Sequence, residues 1–172
     1  MNRAKSLPLL SRIKEREAYM RAVIQRVSEA FVTYKNTKED KFCGRITKGI
    51  LIYLGIAADD TDGDAEYLAD KIAHLRIFMD SNEKMNLSIL DLGYEALVIS
   101  QFTLHADARK GRRPSYSQAA GPEKALILYD LFCTKLMEQG VFVQTGKFQE
   151  IMRVHSINDG PITILLDSKK AF

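Results

Sequence analysis

The chain of 172 residues is long enough for one ordinary domain, and its hydrophobic fraction of 46% is that of a globular protein with an apolar core. No apolar run reaches the length that a helix needs to cross a bilayer, so a membrane-spanning helical protein is excluded. The formal net charge of only +3 gives little reason to expect non-specific binding to polyanions.

The first 19 residues differ from the rest of the chain in composition. They are basic with scattered apolar residues, but they contain Glu15 and Glu17 and lack the continuous apolar stretch of a secretory signal. We predict a disordered extension; an organelle-targeting leader is the alternative, and the two acidic residues argue against it. The folded domain is predicted to span residues 20–168, with residues 169–172 as a C-terminal tail.

The segment that follows reads mainly as strands. Residues 20–34 are rich in Val and Phe and predict one or two strands, and the polar residues 36–40 predict a hairpin loop before a strand at 41–46. Residues 49–57, GILIYLGIA, are nearly all apolar, which is typical of a strand covered on both faces. The acidic DDTDGD after them suits a helix N-terminus.

The first predicted helix places Leu68, Ile72 and Leu75 at helical spacing, so one of its faces is expected to belong to the core. Residues 85–100 then read as two strands that turn at residues 92–93. This pair of strands ends in the apolar run ALVIS.

The second predicted helix begins near Pro122 and ends before Gly140. Its apolar stripe consists of Leu126, Tyr129, Phe132, Cys133 and Met137. Three apolar segments, residues 141–145, 151–157 and 161–167, end the chain. The order of strands, helix, strands, helix and strands predicts a mixed α/β fold: a single compact domain with a mixed, barrel-like sheet and two main helices, rather than regular βαβ alternation.

Several familiar metal and nucleotide motifs are missing from the sequence. DDTDGD resembles a calcium loop, but Ala58 and Ala69 occupy ligand positions, which favours a helix cap. There is no glycine-rich phosphate loop, and the histidines share no metal-ligand spacing: His74, His105 and His155. Cys43 and Cys133 have apolar neighbours and no CxxC spacing, so we predict buried free thiols and a cytoplasmic protein.

Polar residues and then cations follow the apolar run, in the stretch SQFTLHADARKGRRPSY, residues 100–116. The cations are Arg109, Lys110, Arg112 and Arg113. One interpretation is a strand end followed by a solvated loop. The other is a reaction site beside a polyanionic substrate such as RNA, because Arg and Lys pair with phosphates. Tyr116 is able to stack on a base or to pack in the core.

A second polar stretch, NDGPIT, lies between two apolar segments at residues 158–163. Asn-Asp-Gly-Pro is favourable turn chemistry, so a plain turn is one interpretation. The other is a cis peptide between Gly160 and Pro161, which would fix neighbouring carbonyls as a steric gauge against a ligand. The sequence leaves both open.

Taken together, SQFTL and NDGPIT at this separation resemble the D-aminoacyl-tRNA deacylases. The likeness extends to MRAVIQRVSEA at the start, to LRIF and KMNLS in the middle, and to VQTGKF and MRVHSINDGPIT near the end. It covers residues 20 to about 168. SQFTL alone would be a weak signal, whereas the ordered set is specific.

The resemblance implies a homodimer without metal or cofactor whose partner is tRNA. It implies hydrolysis of the ester that joins a D-amino acid to the terminal adenosine of a tRNA. Glycine is included, in particular glycine mischarged on tRNA-Ala. Two rival functions stay open: a non-catalytic RNA-binding protein on the same scaffold, and a related deacylase for L-alanine. The Ser-Gln opening of SQFTL, where the L-alanine type has Pro-Gln, favours the D-specific type.

The resemblance also assigns site residues. The first motif corresponds to Ser100, Gln101, Phe102, Thr103 and Leu104, and the first four of these form the catalytic set. The second corresponds to Gly160 and Pro161, flanked by Asn158 and Thr163; in the family this Gly-Pro bond is cis, and its carbonyls reject L-amino acids from the partner subunit's site. Arg26 and Met152 match positions that hold that motif. Ala108 is a mild departure, since Thr is common there.

Two mechanisms are compatible with the first motif. The backbone N–H groups of Phe102 and Thr103 are the best candidates for stabilising an oxyanion, and water then attacks with help from the adenosine 2′-hydroxyl. Alternatively Thr103 is a covalent nucleophile, which needs a base. His105 would share a face with Thr103 if both lay on a strand. The resemblance favours attack by water.

Overall fold

The computed structural model describes residues 19–37 and 39–171. The predicted extension at residues 1–19 therefore lies outside the described residues except for its last one. In chain order, the described elements are β1 (Arg21–Lys35), β2 (Asp40–Ile46), β3 (Gly49–Gly55), α1 (Asp62–Ala73), β4 (Phe78–Met79), β5 (Met85–Leu87), α2 (Ile89–Leu92), β6 (Glu95–Ser100), a 3₁₀ turn (Phe102–His105), α3 (Pro122–Glu138), β7 (Phe142–Thr145) and β8 (Met152–Asp167).

The main sheet is organised around the long strand β1. One edge of β1 pairs antiparallel with β8, and the other pairs first with β3 and then with β2. Strands β3, β6 and β7 are parallel. Strand β2 curls over to β7, so closely that a Cβ on Gly44 would lie 3.0 Å from the Thr145 carbonyl oxygen. The predicted mixed α/β domain with a barrel-like sheet is confirmed.

Two apolar cores lie on the two faces of this sheet. In β3, Leu51 points into the curled sheet while Ile50 and Ile52 point towards the helices. Strand β6 alternates in the same way, with Leu97 on the inner side and Val98 on the helix side. Both faces of these strands are therefore covered, as the unbroken apolar run in residues 49–57 predicts.

The prediction of two strands within residues 85–100 is wrong for the first of them. Strand β5 lasts three residues and is followed by the short helix α2. The reason is local: Ser88 Oγ accepts a hydrogen bond from the Asp91 amide, and the Asp91 carboxylate accepts one from the Ser88 amide at 2.7 Å. Gly93, at φ 61°, ends the helix in the left-handed conformation.

The predicted stripe of the second helix is partly wrong. Leu126 and Met137 are exposed, at 39% and 51%. The buried face of α3 is instead formed by Leu128, Tyr129, Phe132, Cys133 and Leu136. The predicted and the observed sets share Tyr129, Phe132 and Cys133. The helical period is therefore as predicted, but the buried face includes Leu128 and Leu136 instead of Leu126 and Met137. In the first helix, Leu68 and Ile72 are buried, but α1 ends at Ala73, before Leu75.

Candidate active site

A cavity of about 730 Å³ opens beside the carboxyl end of β6. The carboxyl ends of parallel strands are a common place for ligand sites in α/β proteins, because the chain leaves the sheet there in loops. Among the residues that line the cavity are Ser100, Gln101, Phe102, Tyr116, Glu150 and Met152. Three of the four predicted catalytic residues and Met152 therefore meet at one site.

The 3₁₀ turn presents two free backbone donors. The Gln101 amide donates to the Leu54 carbonyl at 2.8 Å, and the Leu104 amide donates to the Gln101 carbonyl at 3.2 Å. The amides of Phe102 and Thr103 have no acceptor among the described residues. The first N–H groups of any helical turn lack an internal partner, so the turn itself produces this pair of donors beside the cavity.

Residues of β1 and β3 contact the 3₁₀ turn and fix its position. Arg21 Nη1 donates to the Leu104 carbonyl at 2.9 Å. A Cβ on Gly55 would lie 2.9 Å from Leu104 Cβ and 3.0 Å from the Gln101 carbonyl oxygen, so only glycine admits the turn this close. Sequence reasoning missed both Arg21 and Gly55. A glycine at the end of a buried strand was the available signal for close backbone approach.

Thr103 has a hydrogen-bonded hydroxyl but no base. Its Oγ1 accepts a 2.5 Å hydrogen bond from Gln101 Nε2. His105 is 3% exposed, and neither ring nitrogen has a partner among the described residues. Burial is the largest influence and lowers the pKa of His105; the Gly55 backbone opposes it, and the charge of Arg21 adds a smaller lowering effect. The expectation that Thr103 and His105 share a strand face is wrong, because both lie in the 3₁₀ turn.

The basic loop is closed at its base by a pair of backbone hydrogen bonds between Asp107 and Ser115, at 2.8 and 2.9 Å. Arg109 folds back onto Asp107: its Nε donates to Oδ1 at 2.8 Å, and its Nη2 contacts Oδ2. This pair holds the pKa of Asp107 well below its usual range. The other three cations are exposed and form no ion pair within the described part of the chain: Lys110, Arg112 and Arg113.

One aromatic pair joins this loop to the cavity. The rings of Phe102 and Tyr116 meet edge to face with centroids 5.2 Å apart. Both rings line the cavity and both are more than one third exposed. Tyr116 is therefore at the site and is not a core residue, which leaves its face accessible to a flat ligand.

The NDGPIT stretch is not a turn between two strands, because it lies within the single strand β8. Between the residues that face Gln25 and Val27 of β1, the β8 chain loops out at residues 159–162. The Gly160-Pro161 peptide is cis, and both residues are exposed. We refer to residues 158–163 as the Gly-Pro loop.

Arg26 holds one side of the Gly-Pro loop. Its Nε lies 3.2 Å from both the carbonyl and the carboxylate of Asp159, and its Nη1 donates to the Ile77 carbonyl at 2.8 Å. The Arg26 side chain is buried, so its hydrogen bond to Ile77 is shielded from water, whereas the Asp159 side chain is 57% exposed. A Cβ on Gly160 would lie 3.2 Å from Arg26 Nη2.

Asn158 and Thr163 hold the other side. Asn158 Oδ1 accepts from the Ile162 amide at 3.1 Å, and Asn158 Nδ2 donates to Thr163 Oγ1 at 3.0 Å. Arg26 therefore contacts the loop from β1, while Asn158 and Thr163 form hydrogen bonds within it. Met152, by contrast, lies eight residues before Gly160 along β8 and lines the cavity. The loop itself contributes nothing to the cavity lining of its own chain.

The two thiols and the candidate metal ligands lie in the described residues as follows. Cys133 is buried, and burial raises its pKa to about 12; Cys43 is half-buried, and burial raises its pKa too. Among residues 19–37 and 39–171, no three His, Cys, Asp or Glu side chains are grouped to hold a metal ion. No helix in the same residues is long and apolar enough to span a membrane.

Comparison with known proteins agrees with the fold and the motifs. The family model described as D-Tyr-tRNA(Tyr) deacylase matches residues 23–167. A D-aminoacyl-tRNA deacylase of Syntrophobacter fumaroxidans is 57% identical over 153 residues, which is 89% of this chain and all of that protein. One of Thermotoga petrophila is 54% identical over the same coverage.

Two solved structures have the same fold. A c-Myc DNA unwinding element binding protein superposes with a TM-score of 0.78 at 38% identity, covering 85% of this chain and 97% of that one. A probable eukaryotic D-amino acid tRNA deacylase superposes with a TM-score of 0.72, covering 87% of this chain and all of that one. Since the latter is only 20% identical, it supports the fold alone.

The fold, the site and these relatives define a hydrolase that acts on ester bonds. The chain belongs to the D-Tyr-tRNA(Tyr) deacylase family, and the family match covers every motif of the site from Arg26 to Thr163.

Proposed function

We propose that the protein hydrolyses the ester between a D-amino acid and the terminal adenosine of tRNA, releasing free tRNA and the amino acid. Glycine, including glycine mischarged on tRNA-Ala, is a substrate as well. The observation that carries this function is the pair of free amides of Phe102 and Thr103 beside the cavity. The reaction is a chiral proofreading step of translation in the cytoplasm.

In this mechanism the protein acts mainly through its backbone. An aminoacyl ester is already reactive, and attack on its carbonyl develops negative charge on one oxygen. Two N–H donors fixed by the 3₁₀ turn stabilise that charge. Water is the nucleophile, with help from the adenosine 2′-hydroxyl, because Thr103 has no base among the described residues and its hydroxyl accepts from Gln101.

Rejection of L-amino acids is assigned to the Gly-Pro loop of a second subunit. The loop is exposed, it is held by Arg26 and Asn158, and it contributes nothing to its own chain's cavity. Strand β8, which carries the loop, pairs with β1 alone among the described strands and exposes Ile157 and Leu165, at 61% and 55%. A free apolar edge strand is covered in solution by another chain, here a second copy in a homodimer.

The tRNA backbone is bound by the exposed cations of the basic loop: Lys110, Arg112 and Arg113. They lie along the chain between Phe102 and Tyr116, whose paired rings line the cavity, so the phosphates next to the terminal adenosine would lie near them. Arg109 shapes the loop through Asp107 and contributes little to binding.

The direct test is deacylation of D-Tyr-tRNA, L-Tyr-tRNA and Gly-tRNA by the purified protein. We expect hydrolysis of the D-aminoacyl and glycyl substrates and protection of the L-form. Equal hydrolysis of the D- and L-forms would contradict chiral selection. Binding of uncharged tRNA without hydrolysis of any ester would support a non-catalytic RNA-binding protein instead.

The cross-subunit arrangement is tested by mixing two inactive variants. Gly160→Ala forces a Cβ against Ile162 and Arg26 in the Gly-Pro loop, and Phe102→Pro removes one backbone donor. If each site combines the two elements from different subunits, random reassociation of equal amounts restores about a quarter of the sites. A mixture that stays inactive while heterodimers form would show that each subunit builds its site alone.

A further inference from the structure

Asp60 is a buried carboxylate at the start of the folded domain. It is 3% exposed and follows β3 in the loop before α1. Its Oδ1 accepts from the Met20 backbone nitrogen at 2.8 Å, and its Oδ2 accepts from the Ala57 amide at 2.6 Å. Both donors are neutral peptide groups in the chain as it stands.

Among the residues that the structure describes, no cation forms an ion pair with the Asp60 carboxylate. On α1, Asp64 lies near enough to raise the pKa of Asp60 further, and its own partner is Lys169 at 3.0 Å. On α3, Lys124 lowers the pKa of Asp60 only weakly, because its Nζ donates to the Ala58 carbonyl at 2.5 Å. Burial dominates and raises the pKa of Asp60 to about 6. The Asp60 carboxylate is therefore held by two neutral amides, and a nearby cation would stabilise its charged form.

Met20 is placed as a terminal residue of the fold. Its side chain is completely buried in the core beneath the helices, and its carbonyl accepts from the Ser168 amide at 3.0 Å. The curated relatives match over 153 residues along their whole length. The difference between 172 and 153 is 19 residues, which is the length of the segment before Met20.

We propose that Asp60 is a binding site for the α-ammonium group of a chain that begins at Met20, and that this shorter chain is the working form of the protein. In such a chain the terminal nitrogen lies where the amide nitrogen lies now, 2.8 Å from Asp60 Oδ1. The neutral hydrogen bond becomes a buried ion pair, and the anion gains its missing cation. Initiation at Met20 and cleavage before it both produce this terminus.

Three chains test the ion pair: the full chain, a chain that begins at Met20, and a chain with one extra Ala before Met20. All strands, helices and core residues of the described structure lie at or after residue 20, so each chain retains the complete fold. The Ala chain is the matched control, since it moves the ammonium group by about 3.8 Å and changes nothing else. At pH 7 we expect the Met20 chain to have an unfolding equilibrium constant at least about tenfold lower than the other two.

Replacement of Asp60 by Asn is the second arm. In the Asp60→Asn background the three chains should have the same stability, because the partner of the ammonium group is gone. Persistence of the difference would mean that it arises elsewhere in the extension and would overturn the proposal. Equal stability of the three chains with Asp60 intact would overturn it as well.

The pH dependence separates the ion pair from other causes. In the full chain, the pKa of Asp60 is higher in the folded than in the unfolded state. The folded state therefore gains stability relative to the unfolded state as the pH falls through about 6 and Asp60 takes up a proton. In the Met20 chain, the ammonium group lowers that pKa and this rise should be absent. The advantage of the Met20 chain should therefore be largest between about pH 6 and pH 7.7. It should shrink below about 6, where protonation of Asp60 stabilises the full chain, and fade above 7.7 as the amine loses its proton.

The native terminus is identified by labelling free amines in the protein from its source and sequencing the terminal peptide by mass spectrometry. A labelled Met20 is expected. A protein that begins only at Met1 would overturn the proposal. Replacing the Met1 codon then distinguishes the two sources, because initiation at Met20 survives this change and cleavage of the longer chain does not.

Discussion

The side-chain amide of Gln101 donates a 2.5 Å hydrogen bond to the hydroxyl oxygen of Thr103. The bond spans the first residues of the 3₁₀ turn and ties the two side chains together. It uses one of the two lone pairs of the hydroxyl oxygen, and it lends that oxygen no basicity, because an amide N–H only donates. This contact favours the proposal that Thr103 supports the turn rather than attacks the substrate.

Thr103→Ala should retain activity, with a loss of about tenfold or less in the single-turnover rate on D-Tyr-tRNA, because one neutral side-chain hydrogen bond contributes roughly 0.5–1.5 kcal/mol. Thr103→Ser, which keeps the hydroxyl, is the matched control. A loss of all turnover in the Ala variant, with fold and tRNA affinity unchanged, would restore Thr103 as the nucleophile.

Phe102→Pro should lose far more activity than Phe102→Ala. Both variants remove the ring, but only Pro removes the backbone N–H, and Pro is tolerated at the first position of a helical turn. Loss of one oxyanion donor costs about 2.7–4 kcal/mol, so we expect the Pro variant to be roughly a hundred- to a thousandfold slower than the Ala variant. Similar single-turnover rates for the two variants would exclude this amide as a donor.

Simultaneous replacement of Lys110, Arg112 and Arg113 by Ala should weaken tRNA binding equally for D-aminoacyl, L-aminoacyl and uncharged forms, because phosphates carry no chirality. The slope of log affinity against log salt should fall by about 0.7 for each phosphate that the variant no longer binds. Arg109→Ala, the matched control, should change both quantities little, since its guanidinium is paired with Asp107. Unchanged affinity in the triple variant would leave the basic loop a solvated surface.

Arg26→Met should loosen the Gly-Pro loop while keeping the length of the side chain. It removes the hydrogen bonds to Asp159 and Ile77, so we expect discrimination between D-Tyr-tRNA and L-Tyr-tRNA to fall by about tenfold or more, at roughly 1.5 kcal/mol for each charge-assisted hydrogen bond removed. Arg153→Met is the control, because it breaks an exposed ion pair with Asp40 at the far end of β8. If both variants discriminate like the wild type, Arg26 has no role in selectivity.

Much of the fold follows from sequence patterns that reflect burial. The unbroken apolar run of β3 predicts a strand with two covered faces, and Pro122 and Gly140 mark the limits of α3. The short helix α2 was missed because its three apolar residues among polar ones fit a strand equally well. The hydrogen bonds between Ser88 and Asp91 stabilise the helix, and the spacing of apolar residues does not reveal them.

The resemblance assigns residues to the candidate site, but it says little about their geometry. SQFTL and the Gly-Pro motif were found in this way, and Arg26, Asn158 and Thr163 form hydrogen bonds at the loop. The pairing of Arg109 with Asp107 was not foreseen, because a run of cations does not show which of them turns back on its own loop. The sequence also does not show that Gly55, which is far from Ser100 along the chain, allows the 3₁₀ turn to pack closely against β3.

Strand β6 ends at Ser100, and on both of its edges it pairs with parallel neighbours, β3 and β7. Its residues Leu97–Ile99 are buried, so their amide hydrogens should exchange with solvent only when the whole domain unfolds. The turn that follows is thus anchored to one of the last parts of the molecule to open. Catalytic competence and global unfolding should therefore share one thermal midpoint, whereas the basic loop is able to open locally without disturbing the turn.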